Sequence, residues 1–405
     1  MKIVVACPML PYPADAGAKI YLLNYLEALS SRHELRIVAL TRTPEEKVDG
    51  AAFVSKFGQV ITVDPPHRKS LLHRLAYRAY YTALASSRSW PMDAFYGCPG
   101  NFSKEVTAQA ESIGADLVHY DFWFSCLGDL HARPYRRVLL EHDIEYIRRK
   151  RQYEFADEKD KAELKKVWLA TERAETKALT SLDNILLLTK DDEREAKSVG
   201  ATNTHVIPSG IDIEKINPPA GEAPPHRLVF VGSFTHHPNL DAMPWFVKEI
   251  FPLIRTEVPE VEFSIVGANP TPEILELGNQ PGVTVHGSVP EVGPYIESAA
   301  IAVIPLRVGS GIKTKVIEAM AYGRPVVTTP VGAEGIQVTE GQDVIVREDA
   351  KSFAEAVVSL INDSARARAI GQAGRNLVEK TYSKKAAAER LLEIYEKDIW
   401  QPGQG

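Results

Sequence analysis

Short apolar runs rich in β-branched residues alternate with helical patterns along almost all of the 405 residues of this chain. Buried strands that alternate with helices are typical of a parallel, doubly wound sheet with helices on both faces. In the first half of the chain, the predicted strands are Ile3–Ala6, Leu35–Ala39, Val60–Val63, Leu117–Tyr120, Val138–Glu141, Ile185–Leu188 and His205–Ile207. Helical patterns such as Ala18–Ser30 and Ser103–Ile113 lie between them. The alternation therefore predicts an α/β fold.

A proline-rich segment from Asn217 to His226 interrupts this alternation and has the composition of a linker. Beyond it, the predicted strands are Leu228–Val231, Glu262–Val266, Val283–His286, Ile301–Pro305, Pro325–Thr328 and Val344–Val346. The sequence therefore predicts two doubly wound, Rossmann-like domains, residues 1–217 and 218–382, that face a central cleft. Such sheets bind ligands at the carboxyl ends of their strands, so we expect the ligand in that cleft.

Cysteine usage and hydropathy narrow the class of protein. The cysteines are odd in number and far apart, and no Cys/His cluster has the spacing of a zinc site; they are Cys7, Cys98 and Cys126. This pattern predicts free thiols in a reducing compartment. No apolar run approaches the ~18 residues that span a bilayer, and Pro8 interrupts the short apolar N-terminus. We expect a cytoplasmic protein without a signal peptide.

The charge pattern contains one basic stretch, although the net charge is −6. No acidic residue lies between Pro65 and Met92, and leucines and tyrosines are interleaved with the bases Arg68, Lys69, Arg74, Arg78 and Arg88. The stretch Arg68–Arg88 predicts a basic amphipathic helix. It is either a surface for anionic lipid at the inner face of a membrane, or for an anionic acceptor, or an ordinary solvated face. The mixed-sign charges of Asp143–Leu182 do not predict nucleic-acid binding.

The segment Ile304–Val327 carries the strongest chemical signal in the chain. A strand ends, a loop with Gly309, Ser310 and Gly311 follows, and a helix begins near Thr314. Backbone N–H groups in such a loop, together with the helix N-terminus behind them, form an anion site. The order strand, glycine-containing loop and helix therefore predicts phosphate binding.

Charged residues around this loop make the prediction more specific. Lys313 and Lys315 add positive charge at the start of the helix. Glu318 lies three residues after Lys315, on the same side of the helix. A diphosphate at the helix start would leave its attached ribose within reach of that carboxylate. The segment therefore predicts a nucleoside-diphosphate site.

The whole segment resembles the donor-binding signature of the retaining glycosyltransferases with the GT-B fold, called family 4 or glycosyl transferases group 1. Further matches to that family lie at Pro11–Gly17, Val206–Asp212, Val231–Ser233, Val266–Gly267 and Val285–Gly287. The terminal helix, within residues 383–405, resembles the segment that crosses back onto the N-terminal domain. The resemblance implies an acceptor-side first domain and a donor-binding second domain.

The resemblance also implies roles for individual residues. His142, Lys315 and Glu318 match catalytic positions, where the histidine touches the transferred sugar and the glutamate holds the donor ribose. The implied donor-binding residues are Gly17, Gly232, Arg307, Gly309, Ser310, Gly311, Lys313 and Thr314.

The chain departs from the family pattern at two places. Ser310 stands where the family has a glutamate that contacts the donor sugar, which puts the identity of the sugar in doubt. In Gly232–Asn239, where many relatives carry an arginine and a lysine, only histidines are basic. We therefore expect Arg307, Lys313 and Lys315 to take up the phosphate charge. Asn239 itself is interpreted as a helix cap.

The resulting expectation is a glycosyltransferase that moves a sugar from a nucleoside-diphosphate sugar to an acceptor hydroxyl, with retention. No acidic pair is placed for Mg²⁺, so we expect neither a metal nor a cofactor. The alternatives are a catalytically weak sugar-nucleotide-binding relative or another GT-B enzyme such as a sugar-nucleotide epimerase. A nicotinamide-dependent enzyme is excluded for the first domain because Ile3–Ala6 is followed by Cys-Pro-Met-Leu-Pro, not G-x-G-x-x-G. The base, the sugar and the acceptor stay open.

Overall fold

The computed structural model describes residues 1–13, 17–41, 46, 53, 56–57, 59–65, 71–214, 216, 224–309 and 311–400. The chain divides into two compact units, one formed by Met1–Pro208 together with Ala388–Gly405 and the other by Ser209–Ala387. The sequence predicts these divisions at 217/218 and 382/383. The first unit is thus built from two separate stretches of sequence.

The first unit contains a parallel sheet, seven-stranded in the part that the structure describes, with the order β3-β2-β1-β4-β5-β6-β7. Its strands are β1 Lys2–Cys7, β2 Glu34–Leu40, β3 Val60–Val63, β4 Leu117–Asp121, β5 Arg136–Glu141, β6 Asn184–Leu187 and β7 Thr204–Val206. Ile3 of β1 pairs with Leu35 on one side and Leu117 on the other. Strand residues on both faces are fully buried, as in Val4 and Val5, because helices cover both faces.

The helices of the first unit connect these strands. They are α1 Gly17–Ser30, α2 Leu71–Arg88, α3 Met92–Gly97, α4 Gly100–Ile113, α5 Glu145–Glu154, α6 Glu158–Ser181 and α7 Lys190–Ser198. A short 3₁₀ turn, Trp123–Cys126, follows β4. Helix α4 ends at Gly114, whose φ of 57° is the left-handed conformation that suits glycine at a helix end.

The second unit contains a parallel sheet of six strands among the described residues, with the order β10-β9-β8-β11-β12-β13. The strands are β8 Arg227–Val231, β9 Glu262–Val266, β10 Val283–Gly287, β11 Ile301–Ile304, β12 Val326–Thr328 and β13 Ile345–Val346. In each sheet the strand order reverses beside the first strand of the unit, between β1 and β4 and between β8 and β11. Ligands bind at such switch points, outside the carboxyl ends of the strands.

The helices of the second half surround this sheet or lead out of it. They are α8 His237–Trp245, α9 Phe251–Glu257, α10 Pro272–Glu276, α11 Gly293–Ser298, α12 Thr314–Ala321, α13 Pro330–Ala333, α14 Ala350–Asn362, α15 Ser364–Leu377 and α16 Lys384–Ile394. The sequence predicts one helix over Leu240–Val258, but a wide π-type turn, Phe246–Ile250, separates α8 from α9. Prolines explain the break, because Pro244 and Pro252 lack the N–H that a regular helix uses.

The C-terminal segment contributes to the core of the first unit. The hydroxyl of the fully buried Tyr395 lies 2.5 Å from Nδ1 of His119 and 3.5 Å from the hydroxyl of Tyr25. Next to it, Arg32 donates from Nη1 to both carboxylate oxygens of Glu396, at 2.8 and 3.0 Å. The last helical turns are therefore integral to this unit. In the part of the chain that the structure describes, no helix is long and apolar enough to cross a bilayer.

Candidate functional site

Lys315 lies in the first turn of α12, at the switch point of the second sheet. Its side chain is largely buried, and its Nζ donates a hydrogen bond to Oδ1 of Asn239. The same Nζ lies 4.7 Å from the centre of the Phe230 ring, a cation–π geometry. The ammonium group is therefore fixed by one residue of β8 and one residue of α8.

Asn239 is held as firmly as Lys315. It is 4% exposed, and its Nδ2 donates to the carbonyl oxygen of Ser233 at 2.6 Å. The expectation that Asn239 caps a helix is wrong: α8 is preceded by His236 as its cap residue, which makes no side-chain cap hydrogen bond. The amide of Asn239 faces Lys315 and Ser233 instead of the free N–H groups of its own helix.

Gly232 comes directly after β8 and leaves room for this pair. A Cβ at position 232 would lie 2.8 Å from both Nδ2 of Asn239 and Nζ of Lys315. Any larger residue would displace one of the two groups, so the close approach requires glycine.

Burial and neighbouring charges set the electrostatics of α12. Burial and, to a smaller extent, the nearby charge of Lys313 lower the pKa of Lys315 to about 8, against the opposing effect of Glu318. Burial also raises the pKa of Glu318, against the opposing effect of Lys315. Two cations and one carboxylate thus lie close together with little water around them. Such a group is stabilised by an incoming anion.

Lys313 is the residue immediately before α12. It is 8% exposed, its Nζ donates to the carbonyl oxygen of Gly311 at 2.6 Å, and it lies 3.6 Å from Oε2 of Glu334. Thr314 is the first residue of the helix. The structure therefore brings Lys313, Thr314, Lys315 and Glu318 together at one helix start, as the sequence predicts.

The loop before α12 contains two glycines in conformations that other residues avoid. The φ angles of Gly309 and Gly311 are 135° and 70°. A Cβ at Gly309 would lie 3.5 Å from both Cε of Lys313 and Cγ of Pro238, so this loop packs beside the start of α8. Ser310, between the two glycines, lies outside the described residues.

Arg307 is engaged by another residue of its own unit. Its Nε and Nη2 donate to the two carboxylate oxygens of Asp241 at 3.0 and 2.6 Å, and its guanidinium lies 5.0 Å from the centre of the Trp245 ring. Asp241 raises the pKa of Arg307. A carboxylate therefore already offsets the positive charge that the sequence analysis assigned to phosphate.

His142 lies in the first unit, directly after β5. Its Nε2 is 2.8 Å from Oδ1 of Asp121, the last residue of β4. Asp121 is fully buried, and its Oδ2 has no hydrogen-bond partner among the described residues. The ring of His142 stacks on Phe122 at 4.2 Å and meets the edge of Tyr21 at 5.4 Å. Carboxylate and aromatic rings thus fix the orientation of the imidazole.

Gly17, the remaining predicted donor-binding residue, is the first residue of α1. A Cβ added there would meet no atom of the described residues within 4 Å, so packing against them does not require glycine at this position.

Buried carboxylates support the backbone around His142. Glu141 accepts a hydrogen bond from the backbone N–H of Trp123 at 2.9 Å. Glu175 accepts from the backbone N–H groups of Glu145 and Tyr146, at 2.7 and 2.8 Å, and so caps the start of α5. Burial raises the pKa of both carboxyl groups. Across the described residues, no group of three or more His, Cys, Asp or Glu is placed to hold a metal ion.

The sequence does not predict that four residues belong to these arrangements: Asp121, Phe122, Asn239 and Phe230. For Asp121 and Phe122 a signal exists, because they directly follow the predicted strand Leu117–Tyr120, at the edge where sites form. Phe122 has a φ of 64°, and no pattern in the sequence predicts this left-handed conformation for it. For Phe230 the sequence predicts only a position within a strand.

Comparisons with known proteins bear on the family and the fold of the chain. Residues 225–363 match the family described as Glycosyl transferases group 1. The chain is 22% identical over 404 residues to an uncharacterized 44.6 kDa protein in the cps region of Klebsiella pneumoniae, covering 95% of this chain and 97% of that protein. It is 25% identical over 232 residues to the lipopolysaccharide core biosynthesis mannosyltransferase LpsB of Rhizobium meliloti, covering 50% of this chain and 63% of LpsB. This second match spans less than two thirds of the relative.

Solved structures resemble the chain along nearly its whole length. Sucrose-phosphate synthase from Thermosynechococcus elongatus superposes with a TM-score of 0.66 at 18% identity, covering 98% of both chains. Anabaena Alr3699/HepE in complex with UDP superposes with a TM-score of 0.64 at 13% identity, covering 97% of this chain and 99% of HepE. At such identities the likeness shows the fold, and the predicted pair of Rossmann-like domains is confirmed. The resemblance drawn from the motifs is confirmed to the same extent: residues 225–363 match Glycosyl transferases group 1, and the chain has the GT-B fold of its structural neighbours.

Proposed function

We propose that this protein transfers a glycosyl group from a nucleoside-diphosphate sugar to an acceptor hydroxyl. The observation that carries the proposal is the buried Lys315, fixed by Asn239 and Phe230 at the switch point of the second sheet. A buried ammonium is costly unless a negative group pairs with it. Glu318 is the carboxylate near Lys315, and Lys313, which lies 3.6 Å from Oε2 of Glu334, adds a second positive charge. Two ammonium groups beside the N–H groups of a helix start fit a bound anion.

A diphosphate leaving group gains negative charge as the glycosidic bond to the donor breaks. Fixed cations and helix N–H groups in a water-poor site stabilise such charge most effectively. Lys313, Lys315 and the N-terminus of α12 supply these groups. Glu318, one turn further along, is then the residue for the ribose hydroxyls.

His142 is the residue of the first unit that we assign to the transferred sugar. Its ring is oriented by Asp121 and Phe122, so it can offer a hydrogen bond in a fixed direction. We further propose that the anomeric configuration is retained, as the family resemblance implies. A front-side route assisted by the leaving phosphate needs no protein nucleophile.

We propose that transfer requires no metal ion and no cofactor, because Lys313, Lys315 and the helix N-terminus offset the charge that Mg²⁺ would otherwise offset. Transfer in excess EDTA should equal transfer in buffer. Loss of activity in EDTA that returns with added Mg²⁺ would show that the lysines are insufficient.

The relatives narrow the choice of nucleotide-sugar donor. HepE is described in complex with UDP, and LpsB is described as a mannosyltransferase. We therefore infer a UDP- or GDP-linked hexose as donor, and a hydroxyl on a glycan, a lipid-linked glycan or a small molecule as acceptor.

A thermal-shift screen tests the donor proposal directly. A ligand that binds only the folded state stabilises it by RT ln(1 + [L]/Kd). We expect UDP or GDP to raise the Tm at millimolar concentration, and the matching sugar nucleotide to do so too, with ADP as the comparison. If no nucleotide shifts the Tm at several millimolar, the donor proposal is wrong. With the donor known, NMR of the product's anomeric proton tests retention.

A further inference from the structure

Two fully buried polar side chains of β4 each carry one atom without a hydrogen-bond partner. They are His119 and Asp121, two residues apart on the strand. Among the described residues, nothing pairs with Nε2 of His119 or with Oδ2 of Asp121. An unpaired buried polar atom is costly and rare in a folded protein. Two such atoms so close in the chain indicate a small polar ligand that both can bind.

The two side chains lie on the same side of the first sheet. Residues two apart on a strand share a face, and contacts with α1 show which face it is. The ring of Tyr25 lies 4.5 Å from the ring of His119. One turn earlier on α1, Tyr21 lies beside Asp121, because burial and then the negative charge of Asp121 raise the pKa of Tyr21. Both polar side chains therefore face α1.

Each of the two residues already has a partner at its other polar atom. The hydroxyl of Tyr395 lies 2.5 Å from Nδ1 of His119, and the hydroxyl of Tyr25 lies 3.5 Å from that of Tyr395. Nε2 of His142 lies 2.8 Å from Oδ1 of Asp121. The unpaired atoms are thus the inner ends of two hydrogen-bonded groups. One group begins in the C-terminal segment, and the other ends at the imidazole assigned to the sugar.

The spacing and the charge at this place suit one water molecule. Residues two apart on a strand are separated by about 6.6 Å, and two hydrogen bonds through one water span up to about 6 Å. Burial, and to a smaller extent the neighbouring His142, hold the pKa of His119 well below its usual value, so its imidazole is neutral at neutral pH. In the described part of the chain, no group of three or more His, Cys, Asp or Glu is placed to hold a metal ion. Buried waters usually have two to four polar partners of this kind.

We propose that one buried water accepts a hydrogen bond from Nε2 of His119 and donates one to Oδ2 of Asp121. Every donor then has an acceptor. The hydrogen bonds run from Tyr25 to Tyr395, from Tyr395 to Nδ1 of His119, through the water to Asp121, and from His142 to the other oxygen of Asp121. His119 and Tyr395 thereby become positioning residues for His142, a role that rests on the proposed function.

This chain of hydrogen bonds connects the C-terminal segment with the orientation of His142. Bonds in a buried chain polarise and strengthen one another. A hydroxyl that donates to Nδ1 of His119 makes Nε2–H a better donor towards the water. A carboxylate that loses a donor accepts more strongly from the donors that remain. A change at Tyr395 should therefore alter how strongly Asp121 holds His142.

A high-resolution crystal structure tests the water itself. It should contain a water within hydrogen-bond distance of both Nε2 of His119 and Oδ2 of Asp121. Direct contact between these two side chains, or no water at that position, would overturn the proposal.

NMR of protein with ¹⁵N-labelled histidine tests the direction of the bonds without donor or acceptor. At neutral pH the proton of His119 should lie on Nε2. His119→Leu should move the Nε2–H signal of His142 downfield, because Asp121 then accepts more strongly from it. His119→Gln keeps a donor and an acceptor, so it should return the signal most of the way to wild type. A proton on Nδ1 of His119, an unchanged signal in His119→Leu, or no return in His119→Gln would contradict the chain.

Tyr395→Phe tests the positioning role, because it removes one hydroxyl and keeps the ring. It should lower kcat about three- to tenfold, the worth of one hydrogen bond, and leave nucleotide affinity within about twofold. In the Asp121→Asn background the same change should cost less than about twofold, since members of one network are not additive. Tyr80→Phe, an exposed tyrosine of α2, is the matched control and should behave as wild type. Additive losses would show that Tyr395 does not act through Asp121.

The crystal structure and the NMR spectra require no nucleotide, and the nucleotide thermal shift does not involve these residues. If the water and the histidine signals are as expected while no nucleotide raises the Tm, the donor proposal is wrong and the water site stands. If a nucleotide binds but the His142 signal ignores His119→Leu, the chain is wrong and the donor proposal stands. The two failures are therefore distinguishable.

Discussion

The two sheets share the same strand order around their switch points but place different chemistry there. In the first unit, the site is a buried carboxylate and an imidazole, Asp121 and His142, surrounded by aromatic rings. In the second unit, it is a buried ammonium and an amide, Lys315 and Asn239, beside a second lysine. The first site offers hydrogen-bonding groups held by aromatic rings, and the second offers fixed positive charge.

This difference shows that one set of residues determines the fold of each unit and another set determines the chemistry of its site. Alternating buried strands and helices determine the sheet order, so both units converge on one topology. The side chains just beyond the strand ends are free of that constraint. We therefore expect the units to divide the work, with diphosphate binding in the second and sugar contact in the first.

Replacing Lys315 by alanine should produce the largest effect on transfer. Removal of a single fixed group that stabilises developing charge costs about 100- to 1000-fold, so kcat/KM should fall by that factor while circular dichroism shows a folded protein. Lys248→Ala, an exposed lysine of the same unit, should stay within about twofold of wild type. If Lys315→Ala keeps its activity within a few-fold of wild type, the assignment of phosphate binding to the second unit is wrong.

Asp121→Asn should lower kcat by up to about 100-fold, because small displacements of a positioned group are costly. Nucleotide affinity, measured by calorimetry, should stay within about twofold if the division of work is correct. Asp191→Asn, on the surface of α7, serves as the control for the same chemical change. An equal loss in nucleotide affinity and in kcat would contradict the division.

The affinity for the nucleoside diphosphate should fall as the pH rises above about 8. Burial lowers the pKa of Lys315 to about 8, so the free protein loses this proton above that pH. Binding of a dianion there must take up a proton, which weakens affinity by up to about tenfold per pH unit. Below this pH the lysine is already charged and the affinity should not change on its account. Lys315→Arg should abolish the step, because a guanidinium stays charged; a step that persists would assign the titration to another group.

Arg307→Ala should have the smallest effect, less than about threefold on kcat/KM. Asp241 binds both guanidinium nitrogens, and the pair is partly exposed to solvent. Asp241→Ala releases the arginine and serves as the complementary variant. A loss above about tenfold in Arg307→Ala would show that the guanidinium leaves Asp241 for the phosphate, as the sequence analysis expected.

The strands could be predicted closely from the sequence, and β9, Glu262–Val266, has the same bounds in both. Buried parallel strands are continuous apolar runs, which are a local signal. Helix ends were less accurate where prolines forced a wide turn, as between α8 and α9.

Local sequence patterns do not predict the contacts of the site between residues that are far apart in the chain. Asn239 faces Lys315 across 76 residues of sequence, and Asp241 faces Arg307 across 66. No periodicity reports such pairs. The helix start with Lys313, Lys315 and Glu318 was predictable because its residues are neighbours in the chain, whereas their catalytic roles stay predictions.

The division of the first unit into two stretches has a consequence for synthesis on the ribosome. His119 can contact Tyr395 only after the ribosome has added a further 276 residues to the chain. At about 5–20 residues per second, that interval is roughly 15–55 s. The second unit, one uninterrupted stretch, leaves the ribosome in full before Tyr395 does. The unit whose synthesis begins first is therefore the unit whose synthesis is completed last.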